Sequence, residues 1–182
     1  MFFPLFLNLE SKDILVVGAG LVAFRKIEKL LEFKPKITVI APKAIPEILS
    51  LHKKDIINFK KRKFKKSDLR GRFMVIVASN DILLQKQIYK YCIRHNIHCN
   101  SVDELDFCTF IFPSIITRDP LVIAINTSGE APSISKYMRE RIETIIPKNI
   151  KEIIEIISKI RKEKNISHYE INEFTRKLIE DN

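Results

Sequence analysis

The stretch "VVGAGLVAFRK" sets two glycines between a β-branched apolar run and an amphipathic one. Gly18 permits a tight strand-to-helix turn, and Gly20 removes a Cβ that would keep a phosphate away from the backbone. Ala23 stands where a small residue lets helix and strand pack closely. The pattern G-x-G-x-x-A predicts a turn whose amides hold the diphosphate of a dinucleotide, although a purely structural glycine turn is an alternative. The binding residues predicted in this turn are Gly18, Gly20, Leu21 and Val22.

The second predicted strand ends without the acidic side chain that commonly holds a ribose. In dinucleotide-binding folds an Asp or Glu at this point accepts hydrogen bonds from the ribose hydroxyls. Here "TVIAPK" brings Ala41, Pro42 and Lys43 to that position, so backbone groups must hold the ribose. Lys43 could instead meet a 2′-phosphate, and the residues alone leave NAD and NADP both open. Ser79 and Asn80, after a later strand, can reach the ribose or nicotinamide side, or serve only as helix caps.

An acidic turn follows the last strand predicted for the sheet. Asp103 lies just past that strand, "IHCNS", on the edge at which a parallel sheet binds its ligands. A carboxylate with a pKa of about 3.9 is ionised at neutral pH and could accept a proton. Together with Glu104 and Asp106 it could equally form a turn without a chemical role.

Histidine and cysteine side chains near this strand are of types that bind zinc. His98 and Cys99 are adjacent in a predicted strand, however, so their side chains point to opposite faces. With His95 and Cys108 they therefore do not predict a metal site, and we expect no bound metal. Three cysteines in 182 residues also do not make the paired framework of an exported domain, so we expect free thiols.

Strand-like and helix-like runs alternate through the first 101 residues. The runs "DILVV", "KITVIA" and "FMVIVAS" predict strands, and helices are predicted at 21–33, 46–51 and 81–95. "DIINF" predicts an exposed, basic strand. Strand, helix and strand repeated in this way indicate the α/β class, with a Rossmann-type parallel sheet.

The pattern changes after residue 107. "TFIFPSIIT" and "LVIAINTS" flank an Arg-Asp-Pro turn and predict a β-hairpin, which a helix follows at 132–146. Because these strands are apolar at consecutive positions, we expect a second copy of the chain to cover one face. Later isoleucines at helical spacing, and the capping-box pair Ser167 and Glu170, predict two more helices. The predicted domains are a Rossmann domain (1–110), a hairpin-plus-helix segment (111–146) and a small helical C-terminal module (147–182).

The formal net charge of +10 is concentrated in one segment. Between His52 and Arg72 the sequence has ten Lys or Arg and two Asp. A solvated edge strand, attraction for an anionic small molecule and nucleic-acid binding are each compatible with such a run. Because it has few aromatic residues and no groove-reading helix pattern, we expect no nucleic-acid partner. The apolar opening "MFFPLFLNLE" lacks a basic leader and a cleavage site, so we expect a cytoplasmic protein without a membrane span.

Two blocks of the sequence carry a resemblance to a known family. "FPLFLNLESKDILVVGAGLVAFRKIEKLLE" joins a strand-forming leader, the glycine turn and the Arg25-Lys26 pair. "NSVDELDFCTFIFPSIITRDPLVIAINTSGEAPSISKYMRERIE" joins an Asn, a Val-Asp pair, a Phe-Ile-x-Pro run, an Arg ahead of Pro-Leu, a Ser/Gly-rich loop and an Arg-rich helix. In this order they resemble the siroheme synthase N-terminal family, the precorrin-2 dehydrogenases, some of which are also sirohydrochlorin ferrochelatases. No methyltransferase segment follows, so the chain is similar to the stand-alone members.

The resemblance implies oxidation of precorrin-2 to sirohydrochlorin with NAD, in a homodimer that exchanges the 111–146 segment between subunits. It implies that Asp103 of "SVD" is the catalytic group, as proton acceptor or electrostatic orienter, and it leaves iron insertion, with ferrous iron as a substrate, open. Because precorrin-2 carries many carboxylates, its cleft is expected to be positive. The predicted substrate-binding residues are Arg118, Thr127, Ser128, Gly129, Lys136 and Arg139, with Arg141 nearby. In this family Ser128 often corresponds to glycine and Thr127 to serine.

A module of another class stays open as the alternative. The same glycine turn could bind NAD(H) as a regulatory sensor without turnover. The "SVD" and "TSGEAP" loops would then have no substrate to meet.

Overall fold

A computed structural model describes residues 2–102, 104–162 and 167–180. The chain forms two compact units, Met1–Ile111 and Phe112–Asn182. The division of the chain into three parts stays a prediction.

The first unit contains a five-stranded parallel sheet in the order β3-β2-β1-β4-β5. Its strands are β1 Asp13–Val17, β2 Lys36–Ala41, β3 Asn58–Lys61, β4 Met74–Val77 and β5 His98–Ser101. Since all neighbouring pairs are parallel, the five strands end at one edge, which we call the carboxyl edge. The direction of strand order reverses between β1 and β4, where Rossmann-type sheets bind their ligands. The sheet confirms the predicted α/β, Rossmann-type fold.

Three helices in the first unit connect the strands. They are α1 Leu21–Leu31, α2 Pro46–Lys53 and α3 Ile82–Arg94. In α1 the buried Ala23, Ile27 and Leu30 recur at helical spacing, and in α3 Ile88 and Cys92 do the same. The strands β1, β2 and β4 are buried at nearly every position, as parallel strands covered on both faces must be.

The edge strand β3 starts later than the sequence predicts. A strand was expected at 55–59, but α2 continues to Lys53 and a turn follows it. In that turn Asp55 has a φ of 57°, and its amide donates to the carbonyl of His52 at 3.0 Å. A strand cannot include this left-handed residue, so the predicted start is wrong and β3 begins at Asn58.

Two other predicted strand segments are wrong. Residues 2–9 form no strand, and Phe3, Leu5 and Phe6 are exposed there. The hairpin begins at Ser114 and not at Thr109, because Thr109 is bonded to β5, the outer strand of the parallel sheet. Its amide donates to the Cys99 carbonyl at 2.7 Å, and its hydroxyl accepts from the Cys99 amide at 2.8 Å.

The second unit contains the predicted hairpin and three helices. Its elements are β6 Ser114–Arg118, β7 Leu121–Ile125, α4 Pro132–Ile145, α5 Ile150–Lys162 and α6 His168–Glu180. The two strands are antiparallel, and α4 contacts them, burying Ile116 and Ser135. The capping box before α6 is confirmed: the Ser167 amide donates to Glu170 Oε2 at 2.9 Å, and the Glu170 amide to Ser167 Oγ at 3.3 Å. No helix in the described ranges has the length and hydropathy to cross a bilayer.

Candidate functional site

Gly18 lies between the ends of two neighbouring strands, where no side chain fits. Its φ is 114°, and a Cβ built on it would lie 2.0 Å from the Ala78 carbonyl oxygen. The Gly18 amide donates to the Ile40 carbonyl at 2.9 Å, and the Ala78 amide to the Val17 carbonyl at 2.7 Å. The turn that follows β1 is therefore fixed against β2 and β4 at the carboxyl edge.

Gly20 is a glycine for a different reason. It is the N-cap of α1 with extended backbone, and a Cβ built on it would meet no atom of the chain within 4 Å. No side chain caps α1 and its first turn has no acidic residue, so the amides of Leu21 and Val22 keep their donor capacity for a ligand. Space beside an N-terminus with free amides fits a diphosphate, because the helix dipole adds partial positive charge there.

The loop after β2 packs against the glycine turn. Ala41 ends the strand buried, whereas Pro42 and Lys43 are exposed. The amide of Ile45 donates to the Ala19 carbonyl at 3.1 Å, which ties this loop to the turn. The predicted ribose-side residues and the predicted diphosphate site thus lie side by side.

The loop after β4 is held by a residue that the sequence reasoning missed. Gln85 of α3 donates from Nε2 to the Ser79 carbonyl at 2.6 Å, and Ser79 Oγ accepts from the Asp81 amide at 3.3 Å. Asp81 is the N-cap of α3, accepting from the Leu84 amide at 3.0 Å, and Asn80 is exposed. Asn80 is therefore not the cap of this helix, and it lies beside the reversal point of the sheet.

A polar cluster fixes the segment after β5. Lys26 Nζ of α1 donates to Asn100 Oδ1 at 3.0 Å, and Asn100 Nδ2 donates to the Phe110 carbonyl at 3.0 Å. Cys108 Sγ accepts from the Ser101 amide and donates to the Glu104 carbonyl, each at 3.3 Å. Burial raises the pKa of the Cys108 thiol, which stays protonated at neutral pH. Asp103, the predicted catalytic residue, lies outside the described residues.

The three cysteine thiols are buried or partly buried within the fold. Cys92 and Cys99 are fully buried in the core, and all three cysteines are free, as predicted. The hydrogen bond with Cys92, together with burial, raises the pKa of the Cys99 thiol. Among the described residues no group of three or more His, Cys, Asp or Glu is arranged to hold a metal ion.

The predicted substrate-binding cations belong to the second unit, where they form ion pairs. Arg118 and Arg139 each bond one oxygen of Glu143, at 2.8 and 2.7 Å. Lys136 lies 4.0 Å from Glu140 and is largely exposed. The two arginines are therefore brought together by a shared carboxylate.

The loop between β7 and α4 is a tight turn closed by Thr127. The Thr127 hydroxyl accepts from the Ala131 amide at 3.1 Å and from Ser135 Oγ at 3.3 Å. Ser128 and Gly129 have φ angles of 55° and 86°. A left-handed residue at 128 explains why glycine suits that position.

The comparisons with known proteins agree with this geometry. Residues 5–114 match the model of a family described as putative NAD(P)-binding. Siroheme synthase of Buchnera aphidicola subsp. Acyrthosiphon pisum (strain APS) is 40% identical over 160 residues, 88% of this chain and 34% of that protein. Siroheme synthase of Pseudoalteromonas translucida (strain TAC 125) is 36% identical over the same shares. The chain spans about a third of the length of these curated relatives.

A solved structure is similar over nearly the whole chain. The structure described as SirC, precorrin-2 dehydrogenase, superposes with a TM-score of 0.75 at 25% identity, covering 98% of this chain and 89% of that one. The resemblance to the siroheme synthase family that the sequence motifs indicated is thereby confirmed. Since the family model matches residues 5–114, more than half of the chain, the chain belongs to the putative NAD(P)-binding family.

Proposed function

We propose that this chain is an NAD-dependent precorrin-2 dehydrogenase that oxidises precorrin-2 to sirohydrochlorin in siroheme synthesis. The observation that carries the proposal is the open N-terminus of α1 at the reversal point of the sheet. The likeness to the SirC dehydrogenase over 98% of the chain supports the same activity. The diphosphate binds at the glycine turn, at Gly18, Gly20, Leu21 and Val22. The two nucleosides bind at the loops 41–43 and 79–80.

The reaction removes a hydride and a proton from the macrocycle. Bound NAD supplies the hydride acceptor. Asp103, two residues after the end of β5 in the sequence, accepts the proton or orients the reacting carbon through its charge. Arg118, Lys136 and Arg139 attract the substrate's carboxylates. The turn at Thr127, Ser128 and Gly129 offers backbone amides to a carboxylate ahead of α4.

We further propose a cytoplasmic homodimer in which residues 111–146 form the dimerisation segment. Four large apolar side chains of α4 recur at helical spacing and are exposed in the single chain: Ile134, Tyr137, Met138 and Ile145. An exposed apolar stripe of this size supports burial against a second copy. Size-exclusion chromatography with light scattering tests this assembly.

The test of the activity is anaerobic incubation of the protein with precorrin-2 and NAD, following the spectra of sirohydrochlorin and NADH. Asp103→Asn should lower kcat by about 100-fold or more while the NADH Kd changes less than about twofold. Asp106→Asn removes a nearby exposed carboxylate and is the matched control. Unchanged turnover in Asp103→Asn would remove Asp103 from the mechanism.

The same preparation separates the alternatives. Binding of NADH without any turnover of precorrin-2 would favour the regulatory NAD(H) sensor. Adding ferrous ion to sirohydrochlorin and following the appearance of siroheme tests whether this chain also inserts iron. If neither NAD(H) nor NADP(H) bound to the folded protein, the proposed dehydrogenase activity would be refuted.

A further inference from the structure

Lysines stand where the ribose that carries adenine must lie. In the order β3-β2-β1, the end of β2 and the end of β3 are neighbours at the carboxyl edge, and the register pairs Ala41 with Lys61. Lys61 is the last residue of β3 and is exposed. Lys43, two residues past Ala41, is exposed as well. Two exposed lysines therefore follow or end the strands that border the β2 side of the proposed diphosphate site.

The loop that carries Lys43 is held close to the diphosphate site. The bond from the Ile45 amide to the Ala19 carbonyl, at 3.1 Å, turns residues 42–45 back onto the glycine turn. Ile45 is also the N-cap of α2, which fixes where this loop ends. Lys43 is therefore positioned by backbone contacts on both sides, although its side chain is free to extend.

Negative charge is scarce around these lysines. The sequences "APKAIP" at 41–46 and "NFKKRKFK" at 58–65 contain no Asp or Glu, and the first acid after the Lys43 loop is Glu47 in the first turn of α2. Asp68 follows, but Arg62 binds both of its oxygens, at 2.8 and 2.6 Å. With Asp68 bound by Arg62, the segment that contains Lys60, Lys61 and Lys63 keeps a net positive charge.

The charge at this point normally decides which dinucleotide a Rossmann sheet accepts. An acidic residue after the second strand bonds the ribose hydroxyls of NAD and repels the 2′-phosphate of NADP, whereas a basic side chain accommodates that phosphate. From Lys43, Lys61 and the acid-free loop between β2 and α2, we infer that this chain also binds NADP, with both lysines on its 2′-phosphate. The inference rests on the dinucleotide site of the proposed function and adds the discrimination between its two possible ligands.

The experiment measures equilibrium binding of NADH and NADPH to the full chain, through the fluorescence of the reduced nicotinamide. The wild-type protein should bind NADPH with a Kd no more than about threefold above that for NADH. Lys43→Glu and Lys61→Glu should each raise the NADPH Kd by about tenfold and change the NADH Kd by less than about twofold. Raising the salt concentration should weaken NADPH binding more than NADH binding.

Lys53→Glu is the matched control, because it makes the same charge change at the far end of α2. That end lies about 11 Å along the helix axis from Pro46 and away from the carboxyl edge. Tight NADH binding with NADPH at least tenfold weaker would overturn the inference and leave the proposed function intact. An equal effect of Lys53→Glu on NADPH would also overturn it, by showing only a general effect of net charge. Failure of both ligands to bind would refute the inference together with the proposed function.

Discussion

Lys26 Nζ lies 3.0 Å from Asn100 Oδ1, although 74 residues separate them in the chain. The contact joins the helix that carries the glycine turn to the last strand of the parallel sheet. Asn100 is buried, and its Nδ2 donates a further hydrogen bond to the Phe110 carbonyl. The helix that begins after the glycine turn and the segment that follows β5 are thus joined through one polar cluster.

Lys26→Met should destabilise the fold, because it leaves a buried amide oxygen without this charged donor. We expect a loss of about 1–3 kcal/mol in the free energy of unfolding, measured by urea denaturation followed by circular dichroism. Lys29→Met, exposed on the same helix, is the control and should change stability by less than about 0.5 kcal/mol. Equal stabilities of the two variants would show that the contact contributes nothing.

The sequence predicts the glycine turn but not the contact of Lys26 with Asn100. Gly18 and Gly20 act through local backbone geometry, which a short pattern records. The meeting of Lys26 and Asn100 depends on how α1 crosses the sheet, which no local pattern contains. The one available signal was that both residues stand in the blocks that resemble the siroheme synthase family. The shared bonding of Arg118 and Arg139 to Glu143 escaped the sequence for the same reason.

The same substitution should mainly lower stability at Gly18 and mainly weaken NADH binding at Gly20. Gly18→Ala forces a methyl group onto the Ala78 carbonyl at a positive φ, so we expect a loss of about 2–5 kcal/mol of unfolding free energy. Gly20→Ala meets no atom of the chain, so it should cost only about 0.5–1 kcal/mol through poorer capping. Its methyl group should nevertheless raise the NADH Kd at least about tenfold, since it occupies the space for the diphosphate.

Each glycine variant serves as the control for the other. Circular dichroism in urea reports the stability, and NADH fluorescence reports the binding; the chain contains no tryptophan to interfere. A folded Gly20→Ala protein that binds NADH like the wild type would show that the diphosphate lies elsewhere.

Residues 55–61 show where the sequence misleads about an element's start. "DIINF" has the composition of a strand, and Phe59 is buried as the pattern requires. The left-handed conformation of Asp55 decides where the strand starts, and its amide bond to the His52 carbonyl depends on where α2 ends. Helix ends are set by capping and tertiary contacts. The first residue of a strand that closely follows a helix therefore cannot be predicted from the strand's own sequence.

Acid should weaken the fold partly through Asp68. The hydrogen bonds from Arg62 lower the pKa of the Asp68 carboxyl in the folded state, and the Lys65 amide, which donates at 2.8 Å, lowers it further. A carboxyl whose folded pKa lies below its unfolded value of about 3.9 stabilises the fold fully above that value. This stabilisation is lost as the pH falls through the folded pKa.

Arg62→Met should therefore lower stability at neutral pH and make the decline below about pH 4 shallower. Urea denaturation at a series of pH values measures both effects, with the exposed Arg70→Met as the control. An acid decline as steep in Arg62→Met as in the wild type would show that this ion pair does not contribute to the pH dependence.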